Sequence, residues 1–244
     1  MEDKKKTFIY VSLILAIGLV ITATIVSMTW RYVSRSNVTI TVTGSASKDI
    51  KSDYAIWRGN FTNESSSLQE AYSKLQQSNE KVKSYLMSKG FTADQITMSA
   101  INTSTNYVNN EQGYPTSQIT GYRLTQDVSV EMKDVDKIEK ISREATELIN
   151  EGIEFNSSAP EFLYTKIGDL KVEMIGYAAQ DAKERGEQIA NSTGNSIGEV
   201  RSSRMGVIQI NAKNSTEISD YGMNNTSSID KTITVVVNMS FSIN

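Results

Sequence analysis

The sequence predicts an α+β domain preceded by a single transmembrane helix. Three observations carry this prediction: a charge-free apolar segment from Thr7 to Trp30, several short stretches that alternate apolar and polar residues, and three longer stretches with helical periodicity. After the apolar segment, the predicted order is strand, strand, helix, strand, strand, helix, strand, helix, strand, strand. This order is typical of mainly antiparallel sheets packed against helices, in one domain or in two small lobes.

The apolar segment is long enough to cross a membrane. As a helix, residues 7–30 would span about 36 Å at about 1.5 Å per residue, which exceeds a hydrocarbon core of about 30 Å. Basic residues at positions 4–6 outnumber Arg31 and Arg35, which favours a cytoplasmic N-terminus and an external C-terminal domain. The alternative, a cleaved signal peptide, fits less well because the apolar stretch is long and its exit lacks a small-x-small site.

These observations divide the chain into four parts. We expect a short cytoplasmic segment over residues 1–6, an uncleaved signal anchor over 7–30, a linker over 31–37, and an extracytoplasmic domain over 38–244. The protein should therefore be a single-pass protein of the cell membrane, with its domain in the periplasm or on the cell surface.

The predicted strands follow the period of two. Val38, Ile40 and Val42 alternate with threonines in a strand that ends at Gly44, and an aromatic-rich second strand runs from Tyr54 to Thr62. The later strands are predicted over residues 96–108, 119–132, 153–164, 199–210 and 231–243. The polar stretch 109–118 should connect the strands 96–108 and 119–132 as a hairpin. The Asn- and Ser-rich stretch 211–230 is predicted to be a long surface loop.

Three amphipathic helices lie between these strands. Ser67 and Glu70 match a capping box for the first helix, and Gly90 should end it with Phe91 folded back onto the last turn. Asp134 should cap the second helix, which ends at Gly152. The third helix is predicted from Ile167 to about Ser192. Its expected apolar face consists of Leu170, Met174, Tyr177, Ala178, Ala182 and Ile189.

Composition argues against several classes of function. The chain has no histidine and no cysteine, so it lacks the commonest general base, the commonest zinc ligand and any disulfide. Its net charge of −3 with mixed signs suggests neither nucleic acid nor an anionic membrane surface as partner. Without histidine, serine chemistry would need a lysine base, and no Ser-x-x-Lys match lies at the start of a predicted helix. We therefore expect a protein that is not an enzyme and has no cofactor or metal.

Carboxylates are the remaining route to catalysis. Glu151, Glu154, Glu161 and Asp169 lie close in sequence, and paired acids can hydrolyse glycosides or hold a hard cation. Their spacing does not match a calcium loop, and such residues are usual at strand ends and helix starts. Hydrolysis is the weakest of the functional hypotheses.

Asparagine is frequently followed by serine or threonine in the sequon pattern. The excess of sequons indicates either an exposed glycoprotein or polar loops in which these residue types are enriched together. The candidate glycosylation sites are Asn37, Asn60, Asn63, Asn102, Asn156, Asn191, Asn214, Asn224, Asn225 and Asn238.

Aromatic residues cluster around the predicted hairpin. Tyr107, Tyr114 and Tyr122 are candidates for an oligomer interface, because tyrosine is enriched at interfaces and an unpaired strand edge is a template for pairing. Packing of the same tyrosines on a strand face within the domain is the alternative.

The combination of local motifs after the anchor resembles the SIMPL-domain family, which includes periplasmic immunogenic and oxidative-stress-defence proteins. The residues that carry the resemblance are the strand Ile40–Gly44, the step Gly121, Tyr122 and Arg123, the helical stretch Ala178–Lys183, the exit Thr193 and Gly194, and then Ile197, Gly198 and Val200. The resemblance implies an exported or membrane-tethered protein, linked to envelope stress, whose relatives can assemble into hollow rings. It attaches no reaction to the chain.

Taken together, we expect a membrane-anchored, extracytoplasmic scaffold that self-assembles into a ring or cage, with itself and the membrane as its partners. The alternative is a binding module for a peptide, a glycan or another ligand of the envelope. Two features depart from the family pattern: the anchor is not removed, and the last long loop is rich in asparagine rather than proline.

Overall fold

A computed structural model describes residues 2–36 and 38–244 of the chain. The chain forms two compact units: residues 1–47, 170–208 and 234–244 make the first, and residues 48–169 and 209–233 the second. In chain order the helices and strands are α1 (Glu2–Ser36), β1 (Thr39–Lys51), β2 (Tyr54–Ser65), α2 (Leu68–Ser88), β3 (Ile96–Met98), β4 (Asn102–Asn109), β5 (Pro115–Met132), α3 (Val135–Glu144), β6 (Glu154–Ser157), β7 (Glu161–Leu163), α4 (Ile167–Ser192), β8 (Ile197–Met205), β9 (Gln209–Ala212), β10 (Met223–Asn224) and β11 (Asp230–Ile243). The predicted α+β class is confirmed.

Helix α1 contains a stretch suited to a membrane. Residues Ile9–Arg31 have a mean hydropathy of 2.6, and none of that stretch is buried against protein. This exposure distinguishes α1 from the core helix of a globular protein, whose apolar face is covered. The hydroxyl groups of Thr22, Thr24 and Thr29 donate to backbone carbonyls one turn earlier, at 2.8–2.9 Å. These polar groups are therefore satisfied without water.

The segment expected to be a linker is helical for most of its length. α1 continues through Ser36, so the chain between Arg31 and Ser36 is helix, and Asn37 lies outside the described residues. This stretch contains no glycine or proline, and nothing in it interrupts a helix that is already formed.

The first unit contains one end of a five-stranded sheet and most of α4. β11 lies between β1 on one side and β8 on the other. The buried residues of α4 recur at every fourth position, as Leu170, Met174, Ala178, Ala182, Gly186 and Ala190. The stripe consists largely of small residues, so the helix lies close to the sheet. A Cβ at Gly44 of β1 would be only 2.2 Å from the Ala178 carbonyl oxygen.

The second unit contains a six-stranded sheet in the order β3–β5–β2–β6, with β4 beside β5 and β7 beside β2. The central pair, β2 and β5, is antiparallel from Ala55 opposite Met132 to Ser65 opposite Tyr122. Helices α2 and α3 pack on this pair and enclose the main hydrophobic core, in which Trp57 and Phe61 are fully buried. The Trp57 indole donates to Ser157 Oγ at 2.9 Å, which satisfies its polar group.

Several local predictions are confirmed. Gly90 has a φ of 84° and ends α2, and the Phe91 amide donates back to the Leu86 carbonyl at 3.2 Å. Asp134 accepts from the Lys137 amide at 3.0 Å and so caps α3. The left-handed Gly152 follows a 3₁₀ helix, Ala145–Glu151, that continues α3.

Several other local predictions are wrong. The first strand does not end at Gly44, because β1 continues to Lys51, and the strand predicted over 199–210 is divided into β8 and β9. The predicted capping box is not formed: the Ser67 side chain makes no cap bond, and Glu70 accepts from Ser65 Oγ and pairs with Lys74. The strand predicted over 96–108 is divided into β3 and β4, and the strand predicted over 153–164 into β6 and β7. On α4, the side chains of Tyr177 and Ile189 are 52% and 47% exposed, because the every-fourth-residue stripe excludes them.

Candidate interaction surface

A two-stranded hairpin extends beyond the rest of the second unit's sheet. β4 pairs with the first half of β5, from Asn102 opposite Thr125 to Asn109 opposite Pro115. The other neighbour of β5, β2, stops at the pair Ser65 and Tyr122. We call residues 102–121 the hairpin arm. Within the described chain, both of its long edges lack a strand partner.

The tip of the arm is held by a single asparagine. Asn110 Oδ1 accepts from the backbone amides of Gln112 at 3.0 Å and Tyr114 at 2.9 Å. Gly113 takes a left-handed φ of 85°, which completes the turn. The predicted loop over 109–118 is thus wrong in length: strand pairing reaches Asn109 and Pro115, and only residues 110–114 form the turn.

The base of the arm is fixed by packing and charge. A Cβ at Gly121 would be 2.7 Å from the Ser65 carbonyl oxygen, so only glycine fits where β2 ends. Two residues later, the Arg123 guanidinium pairs with Glu64 and lies 3.6 Å from Glu154. Arg123 donates a hydrogen bond to the Glu64 carboxylate, and this bond raises the pKa of Arg123. The base is therefore a defined starting point for the arm.

The surface of the arm is largely uncharged and polar, with three exposed large apolar or aromatic side chains. Tyr107 lies opposite Ile119, and their side chains are 46% and 49% exposed; Tyr114 near the tip is 68% exposed. Among all twenty residues of the arm, only Glu111 is charged. Exposed edge strands usually carry lysine or other charges that prevent pairing with a second chain. The arm lacks such protecting charges, and its only irregular features are Pro115 at the start of β5 and the shifts of register beside Tyr107.

Comparison with known families identifies the domain that carries this arm. The family model SIMPL, described as "Protein of unknown function (DUF541)", matches residues 40–241. The chain belongs to the SIMPL family. The match begins at Ile40, one residue into β1, so the family domain starts directly after the N-terminal helix.

The other comparisons add little to the SIMPL assignment. A search of curated proteins finds no match. A crystal structure of an uncharacterized conserved protein from Listeria innocua is similar over 78% of this chain and 91% of its own, at 10% identity and a TM-score of 0.21. A TM-score of this size supports no argument about fold or function.

The three predicted interface tyrosines occupy different environments in this SIMPL protein. Tyr107 and Tyr114 are on the exposed part of the arm. Tyr122 lies at the base, opposite Thr105, where it is half-buried and packs against the core of the second unit. The structure therefore retains two of the three as residues available to a partner.

The sequons also divide by environment. Asn60 lies in the central strand β2 between Asp127 and Asn156, and Asn63 has its Oδ1 atom buried. Both residues are half-buried within the paired strand. Asn225 is half-buried, and Asn37 lies outside the described residues. The exposed sequons are Asn102, Asn156, Asn191, Asn214, Asn224 and Asn238.

The predicted acidic group is not a single site. Glu154 lies near Arg123, whereas Glu161 pairs with Arg58 at 2.5 Å. Within the described residues, no three acidic side chains come close enough to hold a metal ion. Glu154 and Glu161 each lie beside an arginine, and neither is paired with another acidic side chain. Ion pairing with arginine therefore accounts for both carboxylates.

Sequence reasoning missed one set of residues altogether. Asp181, Glu184, Arg185 and Gln188 lie at helical spacing on α4 beside the edge of β1. The i, i+3, i+4, i+7 pattern of polar residues is the signal that could have identified this stripe, but in a sequence it looks like any solvated helix face.

Proposed function

We propose that this SIMPL protein is a membrane-anchored scaffold whose domain self-associates outside the cell membrane. In this proposal α1 crosses the membrane with its N-terminus in the cytoplasm, and the domain forms a ring or cage with a role in protecting the envelope. The protein acts by assembly and not by catalysis. The observation that carries the proposal is the hairpin arm, which has exposed Tyr107 and Ile119, a single charge and, within the described residues, no strand partner on either edge.

A second copy of the chain is the partner that this arm suits best. A single two-stranded hairpin is marginally stable alone, and a further strand along either edge would satisfy its free backbone groups. Copies anchored in one membrane meet at high local concentration and in a shared orientation, which favours association between them. The family resemblance, which implies ring-forming relatives, supports the same partner.

The short connection between anchor and domain limits the geometry of any assembly. α1 continues about 8 Å past Arg31 to Ser36 at about 1.5 Å per residue. From Ser36 to the first residue of β1, Thr39, the chain reaches at most about 11 Å. Each domain should therefore sit close to the membrane surface, and all anchors of a cyclic assembly should leave from one face.

Cysteine cross-linking tests whether the arm lies at an interface. The chain has no cysteine, so a single introduced thiol reports on one position only. We expect Tyr107→Cys in native membranes to give a covalent dimer after mild oxidation, because two arms meet there. The control is Tyr221→Cys, on a side chain that is 98% exposed in the long loop. Equal cross-linking at both positions, or none at residue 107, would count against the arm as the interface.

A further inference from the structure

A groove in the first unit lies between the edge of β1 and the polar stripe of α4. Its volume is about 810 Å³, within the range of ligand sites. Residues 41–43 of β1 form one side, and α4 forms the other with Asp181, Glu184, Arg185, Glu187, Gln188 and Ile189. This groove is separate from the hairpin arm, which belongs to the second unit.

The strand side of the groove offers unpaired backbone groups. Among the described strands, β1 has only β11 as a neighbour. The Ile243 amide donates to the Val38 carbonyl at 3.3 Å. Because alternate residues of an antiparallel strand face opposite edges, residues 38, 40 and 42 face β11. The backbone N–H and C=O groups of Thr39, Thr41 and Thr43 therefore point away from β11, and Thr41 and Thr43 line the groove.

A side chain of α4 marks one end of this free edge. The Ser45 amide, next in the outward-facing series, donates to Asp181 Oδ2 at 2.7 Å. Asp181 also accepts from Arg185 Nε at 2.8 Å. The hydrogen bond from the Ser45 amide is the largest cause that lowers the pKa of Asp181, and the bond from Arg185 is the next. The Asp181 carboxylate is therefore ionised at neutral pH. The edge that can accept a further strand thus runs from Thr39 to Thr43.

The helix side of the groove is acidic with one apolar position. It carries three carboxylates, of which Asp181 is paired with Arg185 at 2.8 Å and Glu187 with Lys183 of the same helix at 3.7 Å. Glu184 accepts from Gln180 at 2.9 Å and, within the described part of the chain, has no cation partner. Ile189 is 47% exposed at the same groove. Charge complementarity therefore favours a ligand with a basic residue.

We propose that this groove binds an extended segment of a partner protein, which adds as a strand to β1 opposite Thr39–Thr43 and pairs a lysine or arginine with Glu184. Backbone hydrogen bonds supply affinity in this mode, and the alternating side chains supply selectivity. The hairpin arm of a second copy is a poor occupant, because it has no basic residue. This inference does not depend on self-assembly through the arm.

Fluorescence polarisation with the full-length chain in detergent tests the proposal. The probe is a labelled nine-residue peptide of alternating threonine and valine with one central lysine in place of a valine. We expect it to bind at least about fivefold more tightly than the same peptide with a central glutamate, as about 1 kcal/mol of charge interaction implies. Methylation of alternate backbone nitrogens should abolish binding, because it removes the donors to β1.

Protein variants locate the binding site. Glu184→Lys should reverse the preference, so that the glutamate peptide binds more tightly than the lysine peptide. Val172→Lys, on the same helix at a side chain that is 72% exposed and outside the groove, should change nothing. An unchanged preference in Glu184→Lys, or full binding of the methylated peptide, would overturn the proposal.

One outcome would assign the groove to a second copy of the chain. β8 carries Arg201 and Arg204 and pairs only with β11 among the described strands. If a peptide of residues 197–205 binds more tightly than the lysine probe and competes with it, the occupant is β8 of another copy and not a partner protein. Weaker binding of that peptide supports the proposal.

Discussion

Replacing Gly44 with valine should unfold the first unit or destabilise it by at least about 3 kcal/mol. A Cβ at this position would lie 2.2 Å from the Ala178 carbonyl oxygen and 2.3 Å from the Ala182 amide nitrogen. Both are backbone atoms of α4, so no side-chain rotation relieves the overlap. The helix would have to move away from β1, and the contacts of Val42 and Phe241 with Ala182 would be lost. Urea denaturation of the full chain in detergent, followed by circular dichroism, measures the loss.

The matched control uses glycines of α4 that have open space around them. A Cβ at Gly168 or Gly176 would meet nothing within 4 Å. Alanine at Gly176, in the helix interior, should raise stability slightly, because glycine there is about 1 kcal/mol less favourable than alanine. If Gly44→Val were as stable as Gly176→Ala, the close approach of α4 to β1 would be wrong.

Trp57→Ala should cost about 3–5 kcal/mol of the stability of the second unit. The side chain is fully buried in the core between the central sheet and its helices, and its ring lies 6.0 Å from that of Phe155. Truncation leaves a large cavity and removes the indole donor from Ser157 Oγ. Ser157 keeps its own bond to the Ser142 carbonyl at 2.6 Å, so the loss comes mainly from packing.

Two further variants separate packing from exposure. Trp57→Phe should recover much of the lost stability, because most of the buried ring volume returns. Tyr72→Ala, at a side chain on α2 that is 50% exposed, should have an effect well below that of Trp57→Ala. Equal losses for Trp57→Ala and Tyr72→Ala would contradict the assignment of Trp57 to the core.

Elements with strong local signals could be predicted from the sequence. α4 begins at Ile167 and ends at Ser192, as its periodicity and the following Gly194 indicate. The end of α2 at Gly90 was also predictable, because a left-handed glycine followed by a returning apolar residue is a local pattern. Such signals lie within a few residues of one another, so they do not depend on the rest of the fold.

Features set by tertiary contacts could not be predicted. Glu70 fits a capping box in sequence, yet its carboxylate accepts a hydrogen bond from Ser65 at the end of β2 and pairs with Lys74. The division between β3 and β4 arises at Ser99, whose amide donates to the Asp127 carbonyl and whose Oγ accepts from the Asp127 amide. These partners are distant along the chain, and a sequence pattern does not report them.

The interaction surfaces were predictable to different extents. The tyrosines pointed to the hairpin, but only the register shows that Tyr107 lies on the free arm and Tyr122 at its base. The groove beside β1 left no recognisable pattern, because it needs both a strand edge and a helix face that are more than a hundred residues apart. A polar stripe on a helix can be interpreted as one side of a groove only when the neighbouring strand edge is known.

The mass of the full-length chain in detergent, measured by light scattering with the detergent contribution subtracted, tests self-assembly most directly. We expect a multiple of the 27.0 kDa chain mass for the native protein. Ile119→Lys, which places a charge on the arm, should shift the mass to that of a single chain, whereas Ile218→Lys, on a side chain that is 82% exposed in the long loop, should not. A single-chain mass for the native protein at every concentration would contradict the scaffold proposal.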